Sequence, residues 1–292
     1  MTTSYLKFWG TRGSSPVSGP GFVKYGGNTS CLEIRYKDAH LIIDAGTGIQ
    51  FLGPELLTMN REIQLFLGHP HWDHLMGFPF FEPIYHSNQK IAIWLPAKTP
   101  KSGKELFNEL LSLDFFPIRF NQIKAHIRFC CAEESTPVQI GEITLQFHRA
   151  CHPGVTYAFK IKTPHQIIGY ATDNEFLKGY QGTLENLPPS KLAEEQGLIQ
   201  FFSECDLLIH EAQYSIEEYH HKTGWGHSSF LNVIALIRAA NIKKWLVVHH
   251  DPKHSDPMLD HLAKLANQTL KQHKIPCQAE WIGDGHIMSL ME

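Results

Sequence analysis

The chain has 292 residues, 42% hydrophobic and 19% charged, an ordinary globular mix that excludes a disordered chain and suffices to bury a sizeable core. Its 26 basic and 29 acidic residues leave a formal charge of −3, so no global field draws in nucleic acid or an anionic membrane, and only a local basic patch stays open. No segment approaches the roughly 18 uninterrupted apolar residues of a membrane span, the N-terminal stretch has no signal-peptide pattern, and six cysteines without a C-x-x-C pair read as reduced thiols, so a cytoplasmic protein is expected.

The first loop signal is the glycine-rich stretch Gly10–Gly27. Short apolar runs then predict buried strands at Leu41–Ile43, Ile63–Leu67, Ile167–Ala171, Leu207–Ile209 and Trp245–Val248. Each is followed at once by a chemically capable residue: Asp44, His69 after one glycine, Asp173 after one threonine, His210-Glu211, and His249. In layered α/β folds sites gather where strands end, so this recurrence predicts a single functional rim. Helices are predicted over Gly103–Leu113, Ser190–Phe202, Ser228–Ala240 and Asp256–His273. The last takes Asp256 as its cap and Pro257 at its first position. No repeat or linker interrupts the chain, so residues 1–292 read as one α/β domain with two sheets covered by helices outside.

There are 19 histidines against nine tyrosines and six tryptophans, and histidine is the commonest metal ligand. The decisive segment is Gly68-His69-Pro70-His71-Trp72-Asp73-His74, directly after a strand. Zinc and similar cations accept imidazole and carboxylate together. In an extended loop His69 and His71 share a side. Asp73 and His74 follow where the chain turns into a helix, and so aim at a second point close by.

This H-x-H-x-D-H segment resembles the signature of the metallo-β-lactamase fold superfamily, and the likeness covers nearly the whole chain. The resemblance implies a four-layer αββα sandwich. Asp44-Ala45-Gly46-Thr47-Gly48 resembles the family's early aspartate turn. The resemblance further implies His69, His71 and His152 on one metal, Asp73, His74 and His249 on another, and Asp173 shared between them. The cofactors implied are two divalent ions, zinc ahead of manganese or iron. Pro70 departs from the family's usual threonine and predicts a stiffer loop without a lost ligand. His249 is preferred over His250 for the last ligand, and His250, Asp251 and His254 are left open as substrate contacts.

Two further motifs narrow the branch. His210-Glu211-Ala212 follows a strand and Gly226-His227-Ser228 precedes a helix. The pair resembles motifs of ribonuclease Z and related phosphodiesterases, in which a glutamate orients a histidine beside the leaving group. An alkoxide leaving a phosphodiester needs a proton, and a histidine raised toward its charged form by a carboxylate can donate it. The catalytic set expected is therefore Asp73, Glu211 and His227. The stretch Gly10–Pro16 also looks like this branch, and glycine-rich loops let backbone amides approach phosphate oxygens.

A basic arm that grips transfer RNA is not evident. Lys98, Lys101, Lys104, Arg119, Lys124 and Arg128 are scattered among aromatic and aliphatic residues. Residues 98–134 are therefore expected to form a helical insertion, as a lid or a homodimer surface. The preferred reading is a metal-dependent phosphodiesterase acting on a small or cyclic nucleotide-type substrate, with no membrane partner. Trp72, Phe78, Phe80, Phe81 and Tyr85 offer rings to stack a base, though most of Gly77–Pro83 is expected in the core. The alternatives are a transfer-RNA 3′-processing endonuclease, with nucleic acid as partner, and a metal-binding scaffold or sensor without turnover.

Overall fold

The computed structural model describes residues 4–59, 61–97 and 101–291. Residues 98–100 of the expected insertion, Lys98 among them, lie outside the described residues, as do the first three residues of the N-terminal stretch. In chain order the strands are β1 (Tyr5–Gly10), β2 (Cys31–Tyr36), β3 (Ala39–Ile43), β4 (Ile63–Phe66), β5 (Lys90–Pro96), β6 (His126–Ala132), β7 (Val138–Ile140), β8 (Ile143–Arg149), β9 (Tyr157–Lys162), β10 (Ile167–Ala171), β11 (Leu207–Glu211), β12 (Lys244–Val248), β13 (Gln278–Trp281) and β14 (Ile287–Ser289). The helices are α1 (Ile49–Leu56), α2 (Gly103–Leu110), α3 (Pro189–Glu194), α4 (Gln196–Phe202), α5 (Ile216–Tyr219), α6 (Phe230–Ala240) and α7 (Asp256–Gln272).

The strands form two seven-stranded sheets, ordered β14-β1-β2-β3-β4-β5-β6 and β13-β12-β11-β10-β9-β8-β7. Each is half antiparallel and half parallel. The parallel halves are β3 to β6 and β10 to β13. Alternation of side chains dictates the layering. Leu41, Ile43 and Phe66 of the first sheet face Phe159, Ile168, Leu207, Ile209, Leu246 and Val248 of the second in one shared core. The intervening residues point outward: Ile42, Leu65 and Ile91 pack with Ile49 and Leu52 of α1 and Phe107 of α2. On the other side Leu208, Trp245 and Val247 pack under Phe202, Val233, Ile237 and Leu262 of α4, α6 and α7. The result is the αββα sandwich, with apolar burial of about 1.5–3 kcal/mol per large side chain driving each contact.

Several predicted bounds shift. Ser255, not Asp256, occupies the cap position of α7, with Pro257 one residue further in. The Asp256 carboxylate instead accepts hydrogen bonds from the amides of Lys24 and Tyr25, 2.8 and 3.3 Å away, and so ties the first loop to this helix. The helix expected over Ser190–Phe202 breaks at Glu195 into α3 and α4. Within 101–134, the described part of the expected insertion, only Gly103–Leu110 is α-helical, and it starts with a capping box built by Ser102 and Glu105. His126–Ala132 is the last strand of the first sheet, pairing in parallel with β5. Its Arg128 is held by Glu62 at 2.7 Å. No described helix is long and apolar enough to cross a membrane.

Candidate metal centre

The topology brings one end of both sheets to a common rim. β3 and β4 end at Asp44 and Gly68-His69, and β10 and β12 end at Asp173 and His249. The β8–β9 connection adds His152. β1 runs the same way as β3, so the loop after it, Thr11–Ser15, reaches the same rim. Two strand ends turn through left-handed backbone, Asp44 at φ 66° and His249 at φ 58°. Non-glycine residues there cost about 1–3 kcal/mol, and such strain gathers where a side chain must be aimed.

Seven residues converge. His69, His71 and His152 place one nitrogen each around a common point, and Asp73, His74, Asp173 and His249 place one atom each around a second. Asp173 stands between the groups. Its Oδ1 lies 3.8 Å from His69 Nε2, 3.7 Å from His152 Nε2 and 3.3 Å from His249 Nε2, while Oδ2 lies 3.1 Å from His74 Nε2. Asp73 Oδ2 lies 3.3 Å from His74 Nε2 and 3.6 Å from His249 Nε2.

Charge distribution matches a site for cations. Burial holds His69, His71 and His152 below the usual histidine range, so these rings are neutral and offer lone pairs. Burial pushes Asp173 up, but the facing His249, His74 and His69 outweigh it and hold the carboxylate ionised. Burial likewise opposes the charge on His74, yet Asp73, Asp173 and Asp44 raise it well above its ordinary value. Among the described residues, His69 Nε2, His74 Nε2, His249 Nε2 and Asp173 Oδ2 are buried without a hydrogen bond of good geometry. Orphaned polar atoms of this kind are costly unless something else satisfies them. Imidazole and carboxylate are the donor set of zinc and similar ions, which displace the imidazole proton on binding, so these residues, His74 and His249 included, fit a divalent pair.

The far side of several rings is also held. Asp44 Oδ2 lies 2.9 Å from His74 Nδ1, and Asp44 Oδ1 accepts from the Gly68 amide at 2.9 Å. Ser30 Oγ lies 2.9 Å from His249 Nδ1. His152 Nδ1 lies 2.9 Å from the Gly226 carbonyl oxygen and donates to it. Such contacts fix tautomer and ring direction. Gly226, at φ +89°, is pressed so close that a Cβ there would sit 2.3 Å from His152 Nδ1. Its amide and that of Gly224 donate to the buried Glu175 carboxyl, which also accepts from Tyr219 Oη. Sequence reasoning missed Glu175. The available signal was a second acidic residue two positions after Asp173, directly before Phe176-Leu177.

The glycine loop contributes differently from a phosphate cradle. The Ser14 amide donates to Asp73 Oδ2 at 2.8 Å. A Cβ on Gly13 would lie 2.5 Å from the His249 ring, so only glycine fits there. Arg12 is fully buried, donating to the carbonyls of Gly26, Asp251 and His254.

His227 reaches the same cavity as Asp73, Asp173 and His152. Its pairing with Glu211 is looser than expected, with Nδ1 and Oε1 3.7 Å apart. Glu211 instead accepts from the amides of Gln213 and Ser228, each at 2.7 Å. It therefore fixes the backbone on which His227 sits. Burial lowers His227 to about 4, so Glu211 does not raise it toward the charged form as expected. His250, Asp251 and His254 do not join the cluster. His250 Nε2 donates to the Ile282 carbonyl, Asp251 accepts from the Lys253 amide, and His254 Nε2 lies 2.8 Å from Glu218. Of the five rings proposed to stack a base, Phe78 and Phe81 are core, and only Trp72 lines the cavity. A larger surface hollow of about 670 Å³ lies among Leu57, Met59, Arg61, Glu62 and Asn88–Lys90, away from these groups.

The family model described as the beta-lactamase superfamily domain matches residues 40–250. A ribonuclease Z from Picrophilus torridus is 22% identical over 286 residues, covering 87% of this chain and 88% of its own. The metallo-β-lactamase fold protein YhfI from Bacillus subtilis superposes with a TM-score of 0.71 at 18% identity, covering 99% of this chain and 100% of that one. A diphosphatase of the PhnP family superposes with a TM-score of 0.65 at 13% identity, over 99% and 98% of the two chains. With the two ligand groups inside the matched residues and the two sheets stacked as described, the chain belongs to the beta-lactamase superfamily and has the metallo-β-lactamase fold.

Proposed function

We propose that this hydrolase cleaves phosphodiester bonds in a small, nucleotide-type substrate with two divalent ions, zinc first among them. The observation that carries the reading is Asp173, whose two oxygens face both ligand groups while His227 opens on the same cavity. His69, His71 and His152 would hold one ion, Asp73, His74 and His249 the other, with Asp173 shared. Such a pair lowers the pKa of a water and neutralises charge on phosphoryl oxygens. Asp73, fixed by the Ser14 amide, orients the attacking water in line with the leaving oxygen. His227 delivers a proton to that oxygen. Its burial keeps it neutral until an anionic phosphodiester occupies the cavity, which favours its protonated form. Glu211 positions His227 through the Ser228 backbone. The small cavity, about 350 Å³, supports a substrate the size of a nucleotide.

The second reading is transfer-RNA 3′ processing, favoured by the ribonuclease Z relative that spans most of both chains. The experiment is turnover, with zinc or manganese supplied, of bis-p-nitrophenyl phosphate, a cyclic nucleotide, a transfer-RNA precursor and a β-lactam. Phosphodiester turnover with weak precursor binding at physiological salt is expected. Lactam turnover without any phosphodiester turnover would overturn the assignment, and efficient precursor cleavage would select the second reading.

A further inference from the structure

We propose that Trp72 and Trp225 form a stacking clamp for the nucleobase of the substrate, a role that deepens the phosphodiesterase reading and rests on it. The two indoles line the same cavity as Asp73, Asp173 and His227. Each is 60% exposed. Large apolar rings left this open beside a polar floor mark a binding surface more than a packing need.

The rim is built by the loops that build the candidate metal centre. Pro70 and Trp72 alternate with His69, His71 and Asp73. Pro153 follows His152, and Trp225 precedes Gly226, whose carbonyl holds the His152 ring. Trp72 therefore cannot drift from the centre, because both its chain neighbours face into it. Trp225 is anchored on either side as well, since the Gly224 and Gly226 amides both bond to Glu175. Lys222 Nζ stands 4.6 Å from the Trp225 ring centroid, a cation–π contact that further restrains that ring. The four rim residues are flat or rigid and offer no charge. A phosphate on the floor places its esterifying group against this rim. Planar aromatic groups suit such walls whatever their hydrogen-bonding edge, so the clamp selects for a base without selecting among bases.

The test compares adenosine monophosphate with ribose 5-phosphate on the metal-loaded protein. Adenosine monophosphate should quench tryptophan emission saturably and bind more tightly by calorimetry. In Trp72→Ala and in Trp225→Ala the ratio of the two affinities should fall by about 5- to 150-fold, the usual worth of one base stacked on an aromatic ring. Trp→Phe at either position should restore most of the ratio, which a merely structural role would not predict. Equal affinity for the two ligands in the unmodified protein, or an unchanged ratio in both alanine variants, overturns the clamp. Failure of the underlying reading looks different. A protein that binds adenosine monophosphate through these rings but hydrolyses no phosphodiester keeps the clamp and loses the reaction. A protein that hydrolyses phosphodiesters with no preference for a base keeps the reaction and loses the clamp.

Discussion

The substitution Glu175→Gln tests whether the second layer of contacts, and not the ligands alone, builds the centre. Both carboxyl oxygens of Glu175 act as acceptors: Oε1 takes Tyr219 Oη and the Gly224 amide, each at 2.8 Å, and Oε2 takes the Gly226 amide at 3.1 Å. A glutamine has the same shape but only one acceptor oxygen. If its NH₂ replaces Oε2, it opposes the Gly226 amide. If it replaces Oε1, the Tyr219 hydroxyl can turn, but the Gly224 amide cannot. Either orientation leaves one buried N–H facing another, at about 1–3 kcal/mol. At roughly 2–4 °C per kcal/mol for a chain of this size, the melting temperature should drop by roughly 2–12 °C. The Gly226 carbonyl holds the His152 ring, so displacement of this turn should also weaken zinc binding by about 10- to 100-fold. Chelator competition measures the affinity, and thermal unfolding of the metal-free protein measures the stability. Tyr219→Phe is the control, since it removes one donor to Glu175 and leaves both glycine amides in place. Zinc affinity of Glu175→Gln within twofold of the unmodified protein, or a loss no larger than that of Tyr219→Phe, would refute the reasoning.

Asp173→Ala should remove both metals, because its two oxygens face both ligand groups, and full metal content by elemental analysis would contradict the sharing. His227→Ala should cut turnover of a cyclic nucleotide by about 10²–10⁴-fold and of bis-p-nitrophenyl phosphate much less, since p-nitrophenolate leaves without a proton. An equal loss on both substrates would instead assign His227 to phosphate binding. Gly13→Ala should displace the His249 ring, which lies 2.5 Å from where the new Cβ falls, so it should lower metal content while leaving circular dichroism intact; normal loading would show that the loop yields. Burial pushes Glu33 up, but hydrogen bonds from His40 and Trp9, with Arg35, bring it down to about 2. A depressed carboxyl contributes stability above its unfolded pKa, near 4.5, and loses it as pH falls toward 2. At about 1.4 kcal/mol per pKa unit this amounts to about 3 kcal/mol. The stability gap between the unmodified metal-free protein and Glu33→Gln should therefore close as pH falls from about 5 toward 2. A gap that widened on acidification would place the charge elsewhere.

The parts of the fold that were legible are those decided by local pattern. β10 and β12 are short apolar runs, buried on both faces, ending in a polar residue, and they fall within a residue of the expected bounds. β6 was not legible. As a strand at the edge of its sheet it exposes His126, Arg128 and Cys131, while Phe129 and Ile127 pack inward. The run therefore reads as mixed surface until its partner β5 is known. The pairing of β1 with β14 joins residues at opposite ends of the chain, Tyr5 with Ser289, and no local signal carries it. The break at Glu195 between α3 and α4 is of the same kind. The Glu195 carboxyl accepts the Leu177 amide, a contact set by tertiary packing.

At the site, residue type was informative wherever the chemistry is rare. Histidine and aspartate alternating after a strand have few uses besides holding a cation, and the structure brings all seven expected side chains to the centre. Glutamate has many uses, and there type alone misassigns roles. Glu211 was expected to charge His227, yet both its oxygens bond to backbone amides, and the imidazole lies beyond hydrogen-bond reach. Glu175 carries no motif in the sequence and is buried, gathering one donor from the end of α5 and two from the turn beyond it, more than 40 residues away. The two carboxyls work alike. Each takes up amides of the turn that carries Trp225, Gly226 and His227, one at its start and one at its end. That turn bears the proposed proton donor, the carbonyl that orients His152 and one ring of the proposed clamp, so under that proposal its shape would couple proton delivery, metal binding and substrate stacking. Gly224 and Gly226, both at positive φ, let the turn present its amides to Glu175, and their spacing is the sequence feature from which this coupling can be read.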